Sequence, residues 1–384
     1  MKTVNMLEPD LDFIRSVVST GGHDVKTCYQ CATCSIVCPI SPDFKPFPRK
    51  EMIAASWGLK KQLLQDADIW LCHNCGDCSI ACPRGAKPAD VMAALRRQAI
   101  LEYAWPLPVA KFLSDPKNLA WVLMIPVILF ITLGLPTGLL DFTPEGGQIV
   151  HAYFFSTWLV DIIMIPAAAW AFLCLAMGVI RFVHEIHNTA ILGGKTKEKK
   201  LNIKKMFAAF ISIVPEIFKH QRFSKCGENH ERSTAHMMVM FSYLGLFFVT
   251  SVFCVALYIF HHHGPYSQMN PVKWIANISG VVLIVGSGLL IKSRLSKIQQ
   301  QVSTYFDWCL VWLVFGIGVT GMATQFARLS GFALVTYATY FIHLVLVFCS
   351  FAYLPYTKFA HIIYRTVALA YAKFAGRKFS FGDD

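Results

Sequence analysis

The sequence contains few charged residues. Asp, Glu, Lys and Arg make up 15% of its 384 positions, whereas soluble domains carry about a quarter, so much of the chain is not expected to contact water. The glycine-rich pattern GxGxxG of dinucleotide-binding sites is also absent, and the nearest glycine pair, Gly286 and Gly288, lies within an apolar run. A hydride-transfer site is therefore not predicted.

Six apolar stretches are each long enough to cross a hydrocarbon core of about 30 Å, which takes roughly 20 helical residues. The predicted spans are 119–140, 153–181, 236–260, 274–291, 304–327 and 332–357. The net charge is +12, and the basic residues cluster between the second and third spans, between the fourth and fifth, and after the sixth. The positive-inside bias predicts a multi-pass protein in membrane lipid with both termini in the cytoplasm. Because this bias accounts for the charge, nucleic acid is not an expected partner.

Eight of the 13 cysteines form two copies of the pattern Cys-x2-Cys-x2-Cys-x3-Cys-Pro. This is the spacing of bacterial ferredoxins, in which three thiolates of one motif and the last cysteine of the other hold each [4Fe–4S] cluster. The pattern therefore predicts two clusters. Cluster one is assigned to Cys28, Cys31, Cys34 and Cys82, and cluster two to Cys72, Cys75, Cys78 and Cys38.

Three other uses of these cysteines fit the spacing less well. Structural zinc takes two well-separated cysteine pairs, disulfides are rare in a cytoplasmic domain, and covalent haem needs a histidine directly after Cys-x2-Cys. The remaining cysteines show no ligand spacing and are interpreted as packing residues. They are Cys174, Cys226, Cys254, Cys309 and Cys349.

The two halves predict an all-α fold, in which a helical, ferredoxin-like domain with two [4Fe–4S] clusters precedes a six-helix transmembrane haem b bundle. The predicted boundaries are 1–103 for the cytoplasmic iron–sulfur domain, 104–118 for a linker, 119–363 for the membrane domain, 184–235 for a cytoplasmic loop inside it, and 364–384 for a basic cytoplasmic tail. The loop contains an amphipathic stretch, KKMFAAFISIVPEIFKHQRF, predicted to lie on the inner membrane surface.

Ionisable residues inside spans are costly and usually functional, which draws attention to two histidines near the last span. His343 and His361 are 18 residues apart, so on one helix they would share a face about 27 Å apart along the axis. This predicts one axial ligand for each of two stacked b haems, with His361 at the cytoplasmic edge. His236, at the start of the third span, is the predicted partner of His361, and His184 and His187 are its rivals.

The partner of His343 stays open among four histidines at the outer edge of the bundle, and a single haem is the alternative. These four are His151, His261, His262 and His263. Two ionisable groups are candidates for contact with a quinone, Asp161 in the second span and Lys273 at the start of the fourth. For both, an ordinary interfacial role is the alternative.

With both cysteine motifs intact, the N-terminal half resembles the C subunit of heterodisulfide reductase. The C-terminal half resembles the haem b subunits of heterodisulfide reductase and respiratory nitrate reductase, through SGLLIKSRL at the end of the fourth span and HLVLVFCSFAYLPYTKFAH in the last. The nitrate reductase subunit has two haem ligands ten residues apart on one span, whereas the third span here has only His236. The whole arrangement is similar to the membrane subunits of the quinone-interacting membrane-bound oxidoreductase complexes of sulfate reducers.

The resemblance implies an electron-transfer subunit of the bacterial inner membrane. Menaquinol would be oxidised, and electrons would pass two b haems and two cubanes to flavin-containing cytoplasmic subunits similar to the A subunit of heterodisulfide reductase, which would supply APS (adenylylsulfate) reductase in sulfate respiration. Whether menaquinol is oxidised within this subunit stays open. One alternative is a quinone-reducing subunit of a heterodisulfide reductase-like or Dsr-like complex that runs in the opposite direction. The other is a non-redox membrane sensor with a regulatory cluster domain.

Overall fold

The computed structural model describes residues 8–141, 149–227, 231–297 and 301–378. The regular structure of these residues is helical apart from isolated β-bridge residues, such as the pair Leu140 and Phe155, which confirms the all-α class. The outer ends of the predicted iron–sulfur domain and basic tail, residues 1–7 and 379–384, lie outside the described residues.

The described part of the N-terminal half contains eight α-helices. They are α1 (Leu11–Ser19), α2 (Thr33–Ile36), α3 (Arg49–Ser56), α4 (Lys60–Leu64), α5 (Asp68–Leu71), α6 (Asp77–Ile80), α7 (Pro88–Tyr103) and α8 (Leu107–Ser114). The longest, α7, begins at Pro88, whose missing N–H costs nothing in a first turn. Because α1 and α3 to α6 all pack against it, α7 is the centre of this half.

Among the described residues, six helices are long and apolar enough to cross a membrane, which is the number predicted. They are α9 (Leu119–Thr137), α11 (Thr157–Leu192), α14 (Glu231–Tyr258), α15 (Pro271–Ser296), α16 (Tyr305–Leu329) and α17 (Ala333–Ala352). Shorter helices lie before, between and after them, namely α10 (His151–Phe154), α12 (Ile203–Phe218), α13 (Gln221–Ser224) and α18 (His361–Phe374).

The second and sixth of these long helices differ from the prediction. Helix α11 has 36 residues and is about 54 Å long, so it extends well beyond a hydrocarbon core and includes residues 184–192, which the sequence assigned to a loop. Helix α17 ends at Ala352, because Pro355 cannot continue a helix and disfavours helical geometry in the residue before it. The expectation that His343 and His361 share one helix is therefore wrong, since His361 is the first residue of α18.

Four aromatic side chains join the two halves in one hydrophobic core. Trp70 of α5 stacks on Tyr364 of α18 with ring centroids 5.3 Å apart, and Tyr103 of α7 lies edge-on to Phe182 of α11 at 5.2 Å. All four are fully buried, and such pairs contribute about 0.5–1.5 kcal/mol each beyond the area they bury. Residues 104–118 therefore do not separate two independent units, and the division of the chain into domains stays a prediction.

A buried ion network joins four separate segments at the same junction. It combines three carboxylates with three cations, namely Glu51, Asp66, Asp68, Lys50, Lys195 and Arg377. Asp68, which is fully buried, lies 2.9 Å from Lys195 Nζ and 3.0 Å from Arg377 Nη1. Lys195 follows α11 and Arg377 follows α18, so two segments of the C-terminal half are fixed to the N-terminal half at Asp68.

Candidate redox centres

The two cysteine motifs adopt the same backbone turn. In each motif, the residues two and four places after the first cysteine have positive φ, Gln30 and Ala32 in the first and Asn74 and Gly76 in the second. A one-turn helix, α2 or α6, follows and carries the third cysteine. Ala32 has a φ of 70°, a costly conformation for a residue other than glycine and one found mainly where a site requires it.

The turns bring the eight cysteines together in the two crossed groups that the spacing predicts. The first cavity is lined by Cys28, Cys31, Cys34 and Cys82, and the second by Cys38, Cys72, Cys75 and Cys78. Burial and the neighbouring sulphurs raise the pKa of Cys34 to about 11 and that of Cys38 to about 12. Thiols this crowded ionise readily only beside a positive charge, and a donor set of sulphur alone fits an iron–sulfur cluster.

The two groups differ in how open they are. Cys31 is exposed, whereas Cys72, Cys75 and Cys78 are all buried. The exposed sulphur of Cys31 lies 3.3 Å from the hydroxyl oxygen of Thr33. The predicted ligands of cluster one thus include an exposed sulphur, whereas three of the four predicted ligands of cluster two are buried.

Side chains of the C-terminal half hold the cluster-two loop. Arg365 of α18 donates to the Cys72 carbonyl at 3.1 Å, and Arg232 of α14 donates to the Asn74 carbonyl at 3.3 Å. The backbone N–H of Gly227, which lies between α13 and α14, donates to Asp77 Oδ2 at 3.1 Å. Cluster two therefore lies at the junction with the long apolar helices.

Histidines from three segments meet beside this junction. His220 Nε2 and His236 Nδ1 are 2.9 Å apart, and His361 is close enough to His236 for their charges to interact. The Nδ1 of His361 donates to the carbonyl of Lys358. In His236 and His361, Nδ1 thus has a partner and Nε2 is left for a metal, which is the usual arrangement in metal-binding histidines. Burial lowers the pKa of His361 to about 3, so the ring is neutral, as a ligand must be.

The rival histidines of α11 lie elsewhere. His187 Nδ1 is 3.0 Å from the hydroxyl of Tyr371, and His184 Nδ1 is 3.2 Å from Asn188 on its own helix. Tyr371 is ten residues beyond His361, about 15 Å along α18. His187 is therefore not placed to share a haem with His361.

At the other end of the bundle, the Nδ1 atom of His343 also has a hydrogen-bonding partner. Its Nδ1 lies 2.9 Å from the hydroxyl of Thr320 on α16. The ring packs against Gly321, where a Cβ atom would come within 3.1 Å of it, so glycine allows this close approach. Nε2 of His343 is again the nitrogen available to a metal.

Of the four predicted partners of His343, the structure brings one close to it. His151 packs against Tyr340 with ring centroids 4.5 Å apart and interacts electrostatically with His343. Its Nε2 is buried and makes no hydrogen bond within the described part of the chain. The other three, His261, His262 and His263, are exposed.

The two quinone candidates lie near the same end. Lys273 Nζ donates to Gln325 Oε1 at 2.9 Å, and Gln325 Nε2 donates to Asn277 Oδ1 at 2.7 Å. Asp161 accepts a hydrogen bond from the hydroxyl of Tyr258. Both ionisable groups thus have polar partners and are half-buried.

Comparison with known proteins supports the N-terminal assignment. A family model described as a 4Fe-4S dicluster domain matches residues 24–86, a range that includes all eight motif cysteines. This region is a 4Fe-4S dicluster domain. No solved structure matches the chain.

Curated relatives agree with this result for the dicluster domain. The C subunit of H(2):CoB-CoM heterodisulfide,ferredoxin reductase from Methanothermobacter marburgensis is 34% identical over 91 residues, 23% of this chain and 49% of the relative. The corresponding C subunit from Methanothermobacter thermautotrophicus matches to the same extent. A protein of Archaeoglobus profundus described as similar to the C subunit of heterodisulfide reductase is 36% identical over 85 residues, 22% of this chain and 45% of the relative. The chain therefore spans about half the length of the curated relatives it matches.

Together these observations describe a chain with an iron–sulfur domain similar to part of the C subunit of heterodisulfide reductase and, within its described residues, six candidate membrane helices. Sequence reasoning missed two residues of the junction. Neither has a ligand spacing: no pattern in the sequence singles out His220, and Cys226 is interpreted as a packing residue. Only the fold brings His220 to His236 and Cys226 to the cluster-two loop.

Proposed function

We propose that this chain is the membrane subunit of a quinone-dependent oxidoreductase complex of the bacterial inner membrane, with both termini in the cytoplasm. It links the menaquinone pool, through two b haems and the two [4Fe–4S] clusters, to flavin-containing cytoplasmic subunits similar to the A subunit of heterodisulfide reductase. APS reductase is the proposed final acceptor, in sulfate respiration. The family resemblance, rather than any contact in the structure, supports the last two steps.

The observation that carries the proposal is the position of cluster two. Its loop is bound by Arg232 and Arg365, which belong to the same two helices, α14 and α18, as His236 and His361. A haem held by these two histidines would therefore be the neighbour of cluster two. A regulatory cluster domain on a non-redox membrane protein would not need this proximity.

The residues present fit two b haems. His236 and His361 would hold the inner haem, and His343 and His151 the outer one, with Thr320 and the Lys358 carbonyl keeping the rings of His343 and His361 in orientation. When bound, a haem with two imidazole ligands supplies a one-electron carrier inside the hydrocarbon region. The buried Nε2 of His151, which needs a partner, supports the choice of this residue.

Lys273 and Asp161 are the proposed quinone contacts. Lys273, oriented by Gln325, can donate to a quinone carbonyl, and Asp161 can accept a proton from a quinol. Because both lie near the outer histidines, the proposed quinone site is at the outer end of the bundle. Protons from quinol oxidation would then be released on the side opposite to the clusters.

A redox titration of the purified protein, followed by optical and EPR spectroscopy, tests this function. We expect absorption bands of two b haems and signals of two cubanes, all reduced when a menaquinol analogue is added to the complex. The relative potentials of haems and clusters would show whether electrons run from quinol or toward quinone. A folded, active protein without haem would contradict the proposal and would favour the sensor alternative.

A further inference from the structure

Cys226 lies outside both cysteine motifs, yet the fold places it at cluster two. It belongs to the segment between α13 and α14, which joins the amphipathic helix α12 to the third candidate span. Its side chain is 2% exposed. Of the five cysteines outside the motifs, it is the one whose sulphur lies beside a predicted cluster ligand within the described part of the chain.

Two independent contacts fix this position. The sulphur of Cys226, the sulphur of Cys75 and a carboxylate oxygen of Asp77 all lie within 4.8 Å of one another. The backbone N–H of the next residue, Gly227, donates to Asp77 Oδ2 at 3.1 Å. The backbone contact holds the segment against α6 whatever the side chain at 226 is.

We propose that the thiol of Cys226 donates a hydrogen bond to the Cys75 sulphur of cluster two and thereby raises the reduction potential of that cluster. The inference rests on the proposed function only in assigning Cys75 to cluster two. Cys226 is not a ligand in this proposal; it acts on the cluster through Cys75. The C-terminal half would thus tune the cluster that lies nearest to it.

The direction of the effect follows from charge. Reduction adds one electron to the cluster, so the ligand sulphurs become more negative. A hydrogen bond donated to such a sulphur therefore stabilises the reduced state more than the oxidised state, which raises the reduction potential. Hydrogen bonds to the sulphurs are among the factors that set cluster potentials. Two other acceptors lie near the thiol, the carbonyl of Arg222 at 3.9 Å and a carboxylate oxygen of Asp77 within 4.8 Å. The Arg222 distance is long even for sulphur, and Asp77 already accepts from the backbone of Gly227, which leaves the Cys75 sulphur as the acceptor in this proposal.

The structure gives cluster one a matched contact of its own, from the hydroxyl of Thr33 to the sulphur of Cys31 at 3.3 Å. Cluster one in the same molecule is therefore an internal reference. Removing the Cys226 thiol should shift the reduction potential of cluster two alone, and removing the Thr33 hydroxyl should shift that of cluster one alone.

The test is an EPR-monitored redox titration of four variants of the full chain: Cys226→Ala, Cys226→Ser, Thr33→Val and Cys254→Ala. In Cys226→Ala we expect the oxidised-to-reduced ratio of cluster two at a fixed potential to rise several-fold; a tenfold rise would correspond to about 59 mV for a one-electron couple. Cys226→Ser keeps a hydrogen-bond donor, so the potential of cluster two should lie closer to the wild-type value than it does in Cys226→Ala. Cys254, exposed on α14, serves as the control cysteine and should change neither cluster.

Three outcomes would overturn the inference. An unchanged potential of cluster two in Cys226→Ala would show that the thiol has no effect. Equal shifts of both clusters would indicate a general structural change. Loss of cluster two in Cys226→Ala, together with its retention in Cys75→Ala, would make Cys226 a ligand. Failure of the proposed function looks different, because the haem bands would then be absent while the cubane signals and their response to Cys226→Ala remained. Failure of the cluster assignment would leave no cubane signal in any variant.

Discussion

Asp68 offers the sharpest test of how the two halves are held together. The variant Asp68→Asn keeps the size of the side chain and removes one negative charge from a network of three carboxylates and three cations. Lys50, Lys195 and Arg377 contact Asp68 at 2.8, 2.9 and 3.0 Å. One buried cation would then lack a counter-charge at the junction.

The cost of this change can be estimated from burial. The side chain of Asp68 is 0% exposed, and those of Lys195 and Arg377 are 8% and 6% exposed, so solvent screens the contacts little. Removing one partner of a buried ion pair costs about 3–5 kcal/mol. With about 1.4 kcal/mol per factor of ten, the equilibrium between joined and separated halves should shift by roughly a hundredfold to a few thousandfold.

The measurement is thermal unfolding of the detergent-solubilised protein, with Glu102→Gln as the matched control. Glu102 pairs with Lys60 at 2.8 Å, but the two side chains are 39% and 37% exposed, so this pair should contribute less than about 1 kcal/mol. We expect a large decrease in Tm for Asp68→Asn and a small one for the control. Equal decreases would refute the idea that the buried network holds the junction.

The pH dependence of the same variant has a defined sign. Burial alone would raise the pKa of Asp68, but Lys50, Lys195 and Arg377 outweigh it and lower the pKa well below its usual range. The stabilisation is therefore complete above the ordinary Asp pKa of about 4 and is lost as the pH falls below it. The Tm difference between the wild type and Asp68→Asn should shrink as the pH falls below about 4. A difference that shrank as the pH rose would contradict this assignment.

Three further changes test the assigned sites. Cys38→Ala should remove the cluster whose other ligands are Cys72 to Cys78 and roughly halve the iron content; loss of cluster one instead would refute the crossed assignment. His151→Ala should roughly halve the haem content measured from the optical spectrum, whereas an unchanged haem content would exclude His151 as a ligand. In Gly178→Ala, the new Cβ would lie 2.8 Å from the Tyr103 carbonyl oxygen, so we expect the free energy of unfolding to fall by about 1–3 kcal/mol, measured by thermal unfolding. The control is Gly288→Ala, whose Cβ would be 3.9 Å from its nearest neighbour and which should cause no such loss. Equal effects of the two variants would argue against a close contact at Gly178.

The two cysteine groups could be predicted because most cysteines of each group lie close together in the sequence. Three cysteines within seven residues can meet only through a tight turn, and the repeated motif supplies the fourth position of each group. The number of long apolar helices was predictable for a similar reason, since about 20 consecutive apolar residues are needed to cross the hydrocarbon core. Both signals can be interpreted without knowing what packs against them.

The ends of helices were less predictable, since they depend on competing local signals. The sequence YLPYTK contains the proline that ends α17, but the spacing of His343 and His361 suggested one continuous helix. For α11 the prediction was wrong in the opposite sense, because the helix extends further than predicted. Its apolar pattern stops near Arg181, yet Phe182 and Ile186 continue the helix because they are buried in the core shared with the N-terminal half.

The contacts at the junction could not be predicted from the sequence, because they join residues that are far apart in the chain. Arg365 and Cys72 are separated by 293 positions, and Arg232 and Asn74 by 158. Neither arginine belongs to a motif, and each could equally have been a topology-determining charge at the end of a span. Their role is evident only once the fold places them on the cluster-two loop.

The shared core has a consequence for electron transfer. Rates of electron tunnelling fall steeply with the distance between carriers, so a cluster on a flexible tether would be reduced at variable rates. Here Trp70 precedes Cys72 by two positions and stacks on Tyr364, which lies three positions after His361. This aromatic contact and the hydrogen bond from Arg365 to the Cys72 carbonyl thus fix the cluster-two loop and the proposed inner haem ligand to one another. If the proposed function holds, Trp70→Ala should slow the reduction of cluster two by menaquinol more than it reduces the haem or iron content. A parallel decrease in rate and cofactor content would show that Trp70 only stabilises the fold.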